Sequence, residues 1–189
     1  MPSKINKGLV LGFTSLGHFV NDGNTWVLPV AYAYMVKVYD MPAYMAGVFG
    51  LIFFGLGALF SPAVGKLMDS TGKPIRLIGL GAFLWALGLA VFGLGVKEYN
   101  VPIAILGAAV SGIASAFYHP LGSSALAITY EGSSGYAMGI NGAMGSLGRS
   151  LYPSISTALF VALSDNYFLS LLVLAIVSLA VTLWSLFVP

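Results

Sequence analysis

The chain alternates long apolar runs with short clusters of charge, and that alternation leaves few folds open. A membrane-spanning helix needs ~20 mainly apolar residues to cross a hydrocarbon core ~30 Å thick. Runs of that length occupy Gly8 to Val36, Pro42 to Gly65, Leu77 to Val96, Val101 to Thr129, Ser134 to Leu163 and Tyr167 to Val188. Lys37 and Asp40, the stretch Lys66 to Arg76, Lys97 and Glu98, Glu131, and Asp165 separate them. Only 7% of the residues are charged and 58% are hydrophobic, whereas about a quarter of a soluble domain is charged. Lipid must replace the missing polar surface. The spacing predicts an all-α membrane protein of six transmembrane helices, a single domain over residues 1–189.

The basic N-terminus followed by an apolar run could also be a signal peptide. The run is too long for that and no small-residue cleavage site ends it, so it is read as the first membrane helix. A net charge of +2 offers no footprint for nucleic acid. The absence of cysteine removes disulfides, thiolate metal sites and thiol catalysis.

Lys and Arg in short loops mark the cytoplasmic face. Lys4, Lys7, Lys66, Lys73 and Arg76 fall on one face, Lys37 and Lys97 on the other. Both termini are therefore expected inside, in a multi-pass protein of the cell membrane. Tyr39, Tyr44, Tyr99 and Tyr167 stand at the expected helix ends, where amphipathic rings favour the headgroup level.

A shift of 91 positions lays Pro29 on Pro120, Pro62 on Pro153 and Gly57 on Gly148. It also lays the first three helices on the last three. Three helices per unit makes the second unit inverted, so residues 1–97 and 98–189 are expected to form two inverted three-helix repeats, a device of secondary transporters.

Ionisable residues at bilayer depth are costly and mark function by default. Asp22 lies near the middle of the first helix and Arg149 near the middle of the fifth, at similar depth. His18 is one turn from Asp22 on the same face. The fourth helix runs antiparallel to the first, which brings His119 to the depth of His18. These four are expected to form a polar belt that binds substrate and protons. Asp and His change charge state with their surroundings, while Arg149 supplies fixed positive charge. The bland alternative is a static pair pinning two helices. Asn21, Asn24, Trp26, Tyr32 and Tyr118 could line the same cavity, with Trp26 and Tyr118 stacking on a ligand ring. Two His and a carboxylate can also ligate a metal, but the spacing is not diagnostic and neither metal nor cofactor is expected. No nucleophile motif appears, so an enzyme is not expected.

The segment Gly65-Lys66-Leu67-Met68-Asp69-Ser70-Thr71-Gly72-Lys73-Pro74-Ile75-Arg76 resembles the signature loop of the major facilitator superfamily, Gly-x-Leu-x-Asp-basic-x-Gly-basic-basic. Gly65, Leu67, Asp69, Gly72 and Lys73 match; Ser70 and Pro74 depart, with Arg76 nearby. The stretches Gly17 to Asp22, Phe117 to Gly122 and Gly145 to Pro153 are similar to the fosmidomycin-resistance-type branch.

The resemblance implies one six-helix half of a transporter, with Gly65, Asp69, Gly72, Lys73 and Arg76 in its gating. A second half is then needed, most simply a parallel second copy; a different partner chain and a further stretch of a longer chain are the other sources. In such carriers the second and fifth helices face the opposite half. Gly47, Gly50, Gly55 and Gly57, and Gly139, Gly142, Gly145 and Gly148, would form smooth ridges there, bent by Pro62 and Pro153. Drug efflux is what the branch implies; uptake of a sugar or organic anion fits the residues equally. The rival from another class is a non-transporting scaffold or regulatory subunit, which would need no polar belt.

Overall fold

The computed structural model describes residues 6–189. Six helices follow one another: α1 Lys7–Val38, α2 Tyr44–Thr71, α3 Pro74–Lys97, α4 Val101–Thr129, α5 Ser134–Ala162 and α6 Tyr167–Trp184. Three begin on an asparagine whose side chain accepts a backbone N–H of the first turn: Asn6 from Leu9 at 3.0 Å, Asn100 from Ile103 at 3.1 Å and Asn166 from Leu169 at 3.0 Å. Such caps satisfy donors that a helix start otherwise leaves free.

Two ends differ from the sequence reading. The charged stretch Lys66 to Arg76 is not a loop. α2 continues to Thr71, and only Gly72 and Lys73 separate it from α3. Nothing before Gly72 breaks a helix. Gly72 takes the left-handed conformation (φ 63°) and bonds back to Met68, a conformation glycine adopts without strain, and Pro74 then opens α3. At the other end, α6 stops at Trp184. The bonds Leu186 to Leu183 and Phe187 to Trp184 tighten the chain, and Val188 is tucked into the core.

The helices pack in two layers. α1 and α4 sit side by side at the centre of the front layer, with α5 on the outer side of α1 and α2 on the outer side of α4; α3 and α6 lie behind. Tyr130 donates to the Lys7 carbonyl at 2.9 Å, and Phe13 meets Trp184 edge-on. The start of α1 and the ends of α4 and α6 therefore share one end of the bundle. Lys7, Lys66, Lys73 and Arg76 belong to that end and Lys37 and Lys97 to the other; Lys4 lies outside the described residues. Among the described residues, α2, α3, α4 and α6 are long and apolar enough to cross a membrane on hydropathy alone. α1 and α5 have 32 and 29 residues but carry the polar side chains discussed below. Of the tyrosines expected at the headgroup level, Tyr44 and Tyr99 are exposed, while Tyr167 is buried and stacks on Tyr34.

Small residues set the spacing between the layers. A Cβ on Gly107 of α4 would strike the Phe92 backbone of α3, and one on Gly95 would strike Ala104. The glycines of α5 do not form one ridge. Gly145 and Gly148 face α1, where a Cβ would meet the His18 ring and the Phe19 carbonyl, while Gly139 and Gly142 face open space. A step of three residues falls short of a full turn by about 60°, so the stripe winds around the helix. On α2 likewise, Gly57 packs against α4 while Gly47, Gly50 and Gly55 are open.

These contacts predict opposite outcomes for one kind of change. Gly107→Ala should destabilise the protein by about 1–3 kcal/mol, because its obstacle is backbone. Gly50→Ala should stay within about 1 kcal/mol of the parent or stabilise it. Thermal unfolding in mild detergent reads both.

Candidate functional site

Asp22 stands at the middle of α1, and its carboxylate is the hub of the polar belt. The side chain is 5% exposed. Oδ1 accepts from Asn21 Nδ2 at 3.0 Å and lies 3.4 Å from His119 Nε2. Oδ2 lies 3.3 Å from His18 Nε2 and 3.5 Å from Arg149 Nε. Three helices thus converge on one carboxylate, His18 from α1, His119 from α4 and Arg149 from α5. The i,i+4 spacing of His18 and Asp22 places both on one face of α1.

The cluster has a closed back and an open front. Behind it, Asn21 accepts from Trp85 Nε1 of α3 at 2.8 Å. A buried carboxylate needs partners to stay charged, and Asn21 supplies one from the core side. In front, the side chains of His119 and Arg149 are 62% and 49% exposed. Arg149 also donates to Ser146 at 3.3 Å. Trp26, one turn beyond Asp22, is exposed as well.

The remaining candidates point elsewhere. Asn24 is fully buried and donates to Ser178 of α6 at 2.9 Å. Tyr32 is buried against Phe49 and Phe92. Tyr118 is buried, with its face covered by the His18 ring at 4.6 Å, so it offers no surface for stacking on a ligand. Its hydroxyl donates to the Thr14 carbonyl at 2.5 Å and accepts from Asn141 Nδ2 at 2.7 Å. Gly65, Asp69, Gly72, Lys73 and Arg76 lie at the far end of α2 and the start of α3, away from the cluster. Pro153 lies inside α5, one turn from Arg149.

Asn141 and Thr14 escaped the sequence reading. Their signal was helical spacing: Thr14, His18 and Asp22 recur every four residues on α1, as do Asn141, Gly145 and Arg149 on α5. Asn141 meets His18 Nδ1 with both its side-chain oxygen, at 2.8 Å, and its backbone carbonyl, at 2.9 Å. The donor atoms of His18, Asp22 and His119 lie within 4.8 Å of one another. Arg149 faces the same carboxylate, so the four side chains form one ion-pair cluster.

The sequence model of the Major Facilitator Superfamily matches residues 14–189. No curated protein matches the chain.

The Tyr118 hydroxyl holds α1 and α5 together across α4. Tyr118→Phe should leave the buried Asn141 amide without its acceptor and cost about 1–3 kcal/mol, read as a lower unfolding temperature with unchanged helix content by circular dichroism.

Proposed function

This chain belongs to the Major Facilitator Superfamily, a family of membrane-spanning secondary transporters and not of enzymes, and on that premise we propose that it carries a small molecule by proton-coupled alternating access. One observation supports the reading most strongly. His119 and Arg149 are exposed around a buried carboxylate at mid-helix depth, on a face that no other part of the described chain covers. A charge turned to lipid at the bilayer centre costs about 2.5–3.5 kcal/mol on insertion scales. That face must instead border a water-filled cavity, closed on its far side by a second body. A scaffold subunit would have no use for it.

In this reading the second body is another copy of the chain, related by a two-fold axis along the membrane normal, with the basic end of the bundle cytoplasmic. A different six-helix partner and a second half within a longer chain are the alternatives. α2 and α5 flank the charged face, and both leave apolar surface unpartnered: Leu51 and Leu59 on α2, Leu147 and Leu151 on α5. The inverted repeat gains support from packing. Gly57 and Gly148, 91 positions apart, each lie against the helix that opens the other three-helix unit, α4 and α1.

Arg149 is the group an anionic part of the substrate would meet, in competition with Asp22. The substrate is then a small polar or amphipathic molecule with an acidic group, and its binding is linked to the charge state of the cluster.

The parent lacks cysteine, so single cysteines report contacts directly. Leu51→Cys on α2 and Leu151→Cys on α5 should cross-link between copies in native membranes, and Leu87→Cys on α3 and Ile176→Cys on α6 should not. The reverse pattern would remove the proposed dimer, and cross-links only to another protein would favour the two-component carrier.

Substrates can be found by ligand-induced thermal stabilisation. For a substrate so identified, Asp22→Asn should keep binding within about tenfold, roughly 1.4 kcal/mol, yet abolish accumulation driven by a pH gradient in proteoliposomes. Accumulation at the parent rate would show that Asp22 takes no part in coupling.

A further inference from the structure

We propose that α5 holds the His18 ring nitrogen Nδ1 as a permanent donor, so that any proton this ring exchanges is the one on Nε2. The inference rests on the transport reading above and assigns the proton to one atom.

The assignment follows from counting donors. Nδ1 faces the backbone carbonyl of Asn141 at 2.9 Å, and a carbonyl can only accept. The Asn141 side chain agrees. The Thr14 carbonyl, also acceptor-only, takes the single hydrogen of the Tyr118 hydroxyl. The hydroxyl oxygen must then accept, so Asn141 turns its NH₂ to Tyr118 and its oxygen to His18. With the amide reversed, two oxygens would meet without a hydrogen between them. The chain of bonds from Thr14 through Tyr118 and Asn141 therefore ends on an Nδ1–H.

Nε2 is left as the variable site. Protonated, it is an N⁺–H beside Asp22 Oδ2 at 3.3 Å. When it releases its proton to water, the ring becomes neutral, Nδ1 keeps its hydrogen, and an Nε2 lone pair faces the carboxylate. An unconstrained neutral imidazole would relieve that repulsion by moving its hydrogen to Nε2; the Asn141 carbonyl prevents this. The charged and titratable groups around the ring are Asp22 on its own helix, His119 and Tyr118 on α4, and Arg149 on α5. Loss of the Nε2 proton leaves Asp22 more dependent on Arg149, which is how proton release would reach an anion bound at that guanidinium.

Gly145 makes the lock possible. It stands one turn after Asn141, and a Cβ there would strike the His18 ring. Only glycine lets the ring lie against the α5 backbone closely enough for Nδ1 to reach the carbonyl. Asn141 and Gly145 are thus positioning residues for His18.

The test is the protonation state of the ring nitrogens, read by nitrogen-15 NMR on histidine-labelled protein in nanodiscs. The chain has two histidines, so His119→Gln identifies the His18 signals. With the neutral ring, Nδ1 should resonate in the protonated range and Nε2 in the unprotonated range, and on acidification only Nε2 should cross between them. A neutral His18 ring carrying its hydrogen on Nε2 overturns the proposal. Gly145→Ala, checked for folding by its unfolding transition, should shift the neutral ring toward the Nε2–H form. An unchanged tautomer in that variant would overturn the role of α5. Neither readout depends on transport: a locked tautomer in a protein that accumulates no substrate against a pH gradient would overturn the transport reading alone.

Discussion

A buried carboxylate at the centre of a membrane bundle, met by partners from three helices, is the constraint around which this protein is arranged. Asp22 is buried on α1, and its two oxygens are met by Asn21, His18, His119 and Arg149. No single partner suffices. The cost of removing a charge from water is offset only when several donors converge on it. Those donors come from three helices, so the positions of α4 and α5 against α1 are part of the electrostatics. Trp85 adds the back layer through Asn21.

Convergence requires helices that approach closely, and glycine provides it where neighbours would otherwise collide. Gly145 admits the His18 ring and Gly148 admits the Phe19 backbone, which draws α5 onto α1 and carries Arg149 to Asp22. On the other side Gly57 draws α2 onto α4. The apolar core falls into two clusters. α1 contributes Val10, Phe13 and Val20 to one, and Val27, Leu28 and Met35 to the other. Asn21, Asp22 and Asn24 lie between them. Apolar packing and the charged cluster therefore use separate layers of the same helices. The outer layers pack side chains, and the middle one carries charge.

The six helices were legible because charge clusters interrupt the apolar runs at the interval a bilayer demands. The ends were less legible. A charged residue ends an apolar run but not a helix, so Lys66 to Thr71 read as loop while the backbone continued unbroken to Gly72. The glycines of α5 misled in another way. A spacing of three looks like a ridge in one dimension, but it winds around a helix of 3.6 residues per turn. Asn141 went unnoticed because its four-residue spacing from Gly145 and Arg149 marks a shared helix face but not the partner that the face meets.

By itself the sequence determined the membrane class, the helix count, the four ionisable residues at mid-depth and the family signature at the end of α2. Each is a property of residue type and of position along one helix. Tertiary structure decided which of those residues meet and which way each side chain faces. It set Asn24 and Tyr32 into the core, covered Tyr118 with His18, and left His119 and Arg149 open. It also placed Nδ1 of His18 on a backbone carbonyl of α5. The physical reason is rotation. Each residue advances about 100° around its helix, and the direction that counts as inward is fixed only when neighbouring helices pack.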